Sequence, residues 1–242
     1  RQLELFYQPQ IRSADGRLAG VEALLRWRHP ERGLVSPVEF IPLAEEAGII
    51  TELGEWALAE AARQIVAWRQ QGIGVPRMAV NLSPRQFHAT DLANRLERIL
   101  TAAGVENEWI ELEITESAAM AHPEGAVEVL QRLRERGIQI AMDDFGTGHS
   151  SLAMLRTLPL NVLKLDRSFV QHLPESETDA AVAGAVVTLA RRLGLSVVAE
   201  GVETEAQQHF LAGIGCDLLL GYLFSRPLPA AEFEAWLSKR YG

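Results

Sequence analysis

Short β-type runs alternate with longer helical patterns from one end of this sequence to the other, and that alternation restricts the chain to architectures built from βα units. The strand-like runs cover residues 3–11, 18–27, 78–82, 109–114, 138–142, 162–165, 196–199 and 216–220. Eight runs in 242 residues match a single α/β barrel, which commonly takes about 250 residues. Between them, Leu53, Trp56, Ala57, Ala61, Ile65 and Trp68 share one helical face, with Thr51 expected to cap its start and Gly72 its end. Val182, Val186, Leu189, Ala190 and Leu193 form a second such face, closed by Gly194. The first two strands are joined only by residues 12–17, which contain Asp15-Gly16. That connection is too short for a crossover helix, so the pair is expected to be an antiparallel hairpin and the barrel irregular at its start.

The formal net charge of -9 argues against a long nucleic acid as partner, because backbone binding needs clustered Lys and Arg. An anionic ligand would need metal ions or a few aimed cations. A hydrophobic share of 48% is enough to bury a core. Cys216 stands alone, so no intrachain disulfide calls for an oxidising compartment, and cytoplasm is the expected location. No apolar run approaches the 18 or more residues of a membrane span. The chain opens at Arg1 and enters a strand almost at once, so residues 1–242 are expected to be one domain of a longer signalling protein, with any membrane anchor expected outside this domain.

Active sites of such barrels lie at the carboxyl ends of the strands, so the polar residues closing each apolar run are the candidates. Asn81 ends one run, Glu113 lies near the end of the next with Glu116 beyond it, Asp143-Asp144 end another, Lys164 sits between Leu163 and Leu165, and Glu200 follows Ala199. Glu22 lies inside an otherwise apolar strand. Leu112 and Ile114 share one strand face, which sends Glu113, with Glu111, to the other. A carboxylate inside a barrel is costly unless it is paired or bound to metal.

Taken singly, each of these residues has an ordinary explanation as a cap, a turn former or an ion-pair partner; the joint pattern carries the argument. Glu22, Asn81, Glu113, Asp143, Asp144 and Glu200 supply hard oxygen donors without Cys or His, a set that favours Mg²⁺ or Mn²⁺ over Zn²⁺. Adjacent Asp143 and Asp144 allow one carboxylate to bridge two ions about 3.5 to 4 Å apart, as in two-metal phosphodiester hydrolases. Lys164 among these acids either orients an attacking water or neutralises surplus charge. Arg26 either clamps a phosphate or forms a salt bridge. Asp144-Phe145-Gly146 matches a kinase triplet, but the glycine-rich loop and catalytic segment of kinases are missing.

These residues fall in motifs that together resemble the EAL phosphodiesterase family over nearly the whole chain: YQP at 7–9, EALLRW at 22–27, NLSP at 81–84, EITES at 113–117, DDFGTG at 143–148, KLDRSF at 164–169, AEGVE at 199–203 and GYLFSRPL at 221–228. The resemblance implies a modified TIM-like (β/α)8 barrel with one antiparallel strand, and metal-dependent hydrolysis of c-di-GMP to linear pGpG with two Mg²⁺ or Mn²⁺ ions. It implies Glu22, Asn81, Glu113 and Asp143 as ligands of one ion, and Asp143, Asp144 and Glu200 as ligands of the other. Lys164 then holds the nucleophilic water, Gln8 and Arg26 touch the dinucleotide, Glu203 supports the substrate end of the site, and Glu116 organises the loop after the acid pair. A homodimer paired through helices near that loop is a further implication.

Two positions depart from the family's pattern: Leu220 stands where Gln is usual, and His149 where Tyr is common. Loss of an amide hydrogen bond at 220, typically about 0.5 to 1.5 kcal/mol, is expected to weaken turnover without loss of metal. A c-di-GMP receptor with little or no turnover is therefore the alternative function.

Overall fold

The structure, a computed structural model, describes residues 2–87, 91–146 and 155–241. Ten strands order themselves by chain position: β1 Leu3–Arg12, β2 Leu18–His29, β3 Gly33–Val35, β4 Met78–Leu82, β5 Ile110–Thr115, β6 Gln139–Phe145, β7 Val162–Leu165, β8 Ser196–Ala199, β9 Leu218–Leu219 and β10 Leu228–Pro229. Eight of them close into a barrel in the order β1-β2-β4-β5-β6-β7-β8-β9 and back to β1. β1 runs antiparallel to both barrel neighbours, while the other seven run parallel. The single reversed strand follows from the short turn, where Gly16 takes a positive φ of 68° and Arg12 N donates to Arg17 O at 2.8 Å.

All eight expected strands are present, with ends shifted by up to three residues. β6 runs on through the acid pair, Cys216 lies outside β9, and Asn107–Trp109 forms a 3₁₀ turn before β5. The three-residue β3 and two-residue β10 add to β2 and β1, and such short pieces carry no readable period. Helix α1 covers Pro37–Glu46 and helix α2 Ile50–Gln70. α2 begins one residue before Thr51, with Ile49 in the cap position and no side-chain cap, so the expected Thr51 cap is corrected: the hydroxyl sits inside the first turn. Gly72, at φ 78°, and Gly194, at φ 74°, lie just past their helices as expected.

Side chains alternate across the barrel wall. Leu163, Leu165, Val197 and Ala199 join the large core between barrel and helices, whereas Ala141, Val162, Val198 and Leu220 form a separate cluster inside the barrel. Trp68 anchors the outer core: its ring meets Tyr7 at 4.8 Å and Phe233 at 5.1 Å, and its Nε1 donates to Glu234 Oε1 at 2.7 Å. Among the described residues no helix is long and apolar enough to cross a membrane.

Candidate metal and phosphodiester site

Most of the site positions at the carboxyl ends of the parallel strands are not filled with Val or Leu, as in most barrels; they hold acids, Asn81 and Lys164. Lys164, on β7, is completely buried. Its Nζ lies 2.7 Å from Glu113 Oε2, 2.7 Å from Glu200 Oε1, 3.4 Å from Asp143 Oδ1 and 3.6 Å from Glu22 Oε2. Four strands or their ends thus aim carboxylates at one ammonium. Burial pulls the lysine downward in pKa, but the acids around it more than offset that and hold the ammonium well above its ordinary range. Burial, then repulsion from Glu22, pushes Glu113 well above the usual carboxylate range against the pull of Lys164. Glu200 is raised to about 7, first by burial, with Asp143 and Glu22 adding to it.

Asn81, on β4 beside Glu113 in the ladder, donates from Nδ2 to Glu22 Oε1 at 2.9 Å. That bond orients the amide and leaves its oxygen for an ion. At the acid pair the β6–β7 register shifts between Met142 and Phe145, and Asp144 adopts φ 56°, with its amide donating to Asp143 Oδ1 at 2.9 Å. Bulges of this kind re-aim side chains next to active sites. Burial, followed by repulsion from Asp143, raises Asp144. Thr115 caps the helix Glu116–Ala121, and the buried Glu116 accepts from Gly146 N at 3.3 Å, tying that helix to the segment after the acids. Thr147, Gly148 and His149 lie outside the described residues.

The expected substrate contacts are spread differently. Gln8 is buried opposite Glu22 in the β1–β2 ladder and donates to Ser225 O at 3.1 Å. Leu220 and Glu203 share with Gln8, Glu22, Glu200 and Tyr222 a cavity of about 210 Å³. Glu203 pairs with Arg167 at 2.9 Å on the surface, a partner within the KLDRSF motif that no local sequence pattern singles out. Arg26 stands further along β2, its Nη1 donating to Leu25 O at 2.8 Å and its guanidinium 5.6 Å from the Phe6 ring. Cys216 is buried outside the site, its thiol pushed up to about 12 by burial, as suits a packing residue.

The donors fit hard divalent ions. Among the described residues no three carboxylates are already spaced around a common ion position, because they close on Lys164 instead. Yet several carboxylates share one ammonium, and the buried Glu113 Oε1 has no hydrogen-bond partner. Surplus buried negative charge with an unsatisfied oxygen is what a bound cation relieves.

Fold and site together define an α/β barrel protein with a carboxylate and lysine centre at the carboxyl ends of its strands. The EAL domain profile matches residues 1–227. The bifunctional diguanylate cyclase/cyclic di-GMP phosphodiesterase MucR of Pseudomonas aeruginosa is 46% identical over 235 residues, 97% of this chain and 34% of MucR. The cyclic di-GMP phosphodiesterase NbdA of the same organism is 46% identical over 236 residues, 98% of this chain and 30% of NbdA. The chain thus spans about a third of the length of these relatives. A solved structure of the PaMucR phosphodiesterase in complex with c-di-GMP superimposes with a TM-score of 0.93 at 46% identity, covering 96% of this chain and 94% of that one. The chain belongs to the EAL domain family.

Proposed function

We propose that this domain hydrolyses one phosphodiester bond of c-di-GMP to give linear pGpG. The observation that carries the reading is the convergence of Glu22, Glu113, Asp143 and Glu200 on buried Lys164, in a chain whose similar proteins bear the name cyclic di-GMP phosphodiesterase. Glu22, Asn81, Glu113 and Asp143 would hold one Mg²⁺ or Mn²⁺, and Asp143, Asp144 and Glu200 the second. Such ions lower the pKa of water toward neutrality and offset charge on a phosphoryl transition state.

The chain's own residues do the positioning. Lys164, kept protonated and pinned by Glu113 and Glu200, points a fixed N–H toward the attacking oxygen. Asn81 and Glu22 hold one another's orientation. Glu116, through Gly146 N, fixes the turn that follows the acid pair. Gln8 and Arg26 contact the dinucleotide, and Glu203 supports its far end beside the small cavity. The domain acts in the cytoplasm within a longer protein and pairs as a homodimer through helices near the acid-pair loop.

Incubating the domain with c-di-GMP and Mn²⁺ and separating products by chromatography tests the reading, with pGpG expected. Absence of pGpG with Mn²⁺ bound overturns it. Light scattering that finds only monomer at high concentration removes the dimer. Leu220 favours a second reading, ligand binding without turnover; that reading gains if c-di-GMP binds, no pGpG forms, and Leu220→Gln changes neither result.

A further inference from the structure

Directly after Asn81 the chain makes a short clasp that the proposed chemistry leaves unused. Helix α3 covers only Pro84–Phe87. Ser83 N and Ser83 Oγ both donate to Gln86 Oε1, at 3.2 and 3.0 Å, and Gln86 N donates back to Ser83 Oγ at 3.3 Å. Reciprocal bonds of this kind form a capping box. The helix is only four residues long, and Pro84 and Arg85 are exposed. Gln86, however, is almost completely buried, and its amide lies flat against α2 at Gly54. A Cβ built on Gly54 would overlap both the nitrogen and the oxygen of that amide, while the φ of Gly54 is one that any residue adopts. Glycine is therefore present for the close approach and not for a turn.

The same residues line one cavity of about 390 Å³ that also touches Glu22 and Asn81. The contacts form a connected path: the Gly54 backbone seats Gln86, Gln86 fixes Ser83, and Ser83 stands two residues beyond Asn81, whose amide is hydrogen-bonded to Glu22.

We propose that Gln86 is a positioning residue for the Asn81 amide, and that position 54 is glycine so that Gln86 can reach its seat. The inference rests on Asn81 being an ion ligand. Residues that orient a metal ligand typically change metal affinity by about 10- to 100-fold when removed. Alanine is favoured over glycine in a helix interior, so propensity gives no reason for Gly54→Ala to do harm.

The experiment measures Mn²⁺ affinity by titration calorimetry for the wild type, Gly54→Ala, Gln86→Ala and the double variant, with thermal melts alongside. Each single variant is expected to bind Mn²⁺ about tenfold more weakly, at the low end of that range, with its melting profile retained. The double variant is expected to bind no more weakly than Gln86→Ala, because nothing remains for the new methyl group to collide with. Affinities of both single variants within about twofold of wild type, or losses that multiply in the double, overturn the proposal. If Gly54→Ala fails to fold, Gln86→Met decides, since it keeps the bulk and removes the acceptor: a loss of about tenfold supports the clasp and wild-type affinity removes it. A wild-type domain that takes up no Mn²⁺ is a different failure, sinking the ion-ligand reading and the inference with it.

Discussion

Glu111 and Glu113 sit two residues apart on the same face of β5, both essentially out of water, and their surroundings could hardly differ more. Glu111 meets one cation, Arg77, at 3.2 Å, and Arg77 is partly exposed. Glu113 shares Lys164 with three other carboxylates. In the first case charge balances within the pair, which suffices to explain why a protein tolerates it. In the second the four acids outnumber the one ammonium they share, a surplus that a retained proton or a bound cation relieves. Burial alone therefore does not separate a working carboxylate from a structural one; the local count of charge does.

The comparison breaks first on Glu113→Gln. If Glu113 serves an ion, this variant loses at least about 100-fold in Mn²⁺-dependent turnover of c-di-GMP. Its thermal midpoint stays level or rises, since one of the crowded charges has gone. A variant that loses stability and keeps turnover would place Glu113 beside Glu111 as a structural acid. Lys164→Met comes next, with an expected fall of about 100-fold in kcat if the ammonium steers the attacking oxygen. Mn²⁺ affinity should hold or tighten, because a competing cation has been removed from the acids. Lost affinity with intact kcat at saturating Mn²⁺ would leave Lys164 only the charge-balancing role.

Glu111→Gln should behave in the opposite way. Uncoupling Arg77 from a buried acid is expected to cost about 2 kcal/mol, below the usual 3 to 5 for a buried pair because Arg77 reaches solvent. That is about thirtyfold in the folded to unfolded ratio, with turnover within threefold of wild type. Chemical denaturation and an activity assay on the same preparation decide it. A large loss of turnover at unchanged stability would mean that the lower acid also serves the site.

How much of this was legible before the structure depends on range. The strand-end acids could be read because they interrupt apolar runs, and the reversed β1 because a six-residue turn forbids a crossover. Glu111 was placed on the inner face with Glu113, yet its partner was not foreseen, since Arg77 lies 34 residues away and no local pattern joins them. The same holds for Gly54 and Gln86, which meet only when α2 docks on the barrel. The cap at Thr51 failed because tertiary packing, and not the hydroxyl, fixes where α2 begins. The strands β3 and β10 are defined by pairing partners and have too few residues to show a period.

Leu220 gives the comparison its finest edge, because it is an apolar residue in a wall that also holds Glu22, Glu200 and Glu203. Its side chain joins Ala141, Val162 and Val198 inside the barrel and also borders the cavity holding Gln8, Glu200 and Glu203. Leu220→Gln puts a donor and an acceptor on that border. One hydrogen bond to the dinucleotide is worth about 0.5 to 1.5 kcal/mol, so kcat/KM is expected to rise up to about tenfold. Mn²⁺ affinity should not move, since 220 is outside the ion-ligand set. The gain is capped from the other side: an amide that turns inward loses the packing of Leu220 and meets only apolar neighbours, which would lower stability and leave turnover unchanged. Paired measurements of kcat/KM and thermal midpoint separate the two orientations. A rise in both would show that the border at 220 belongs to the polar site, and a fall in stability alone that it belongs to the apolar floor beneath.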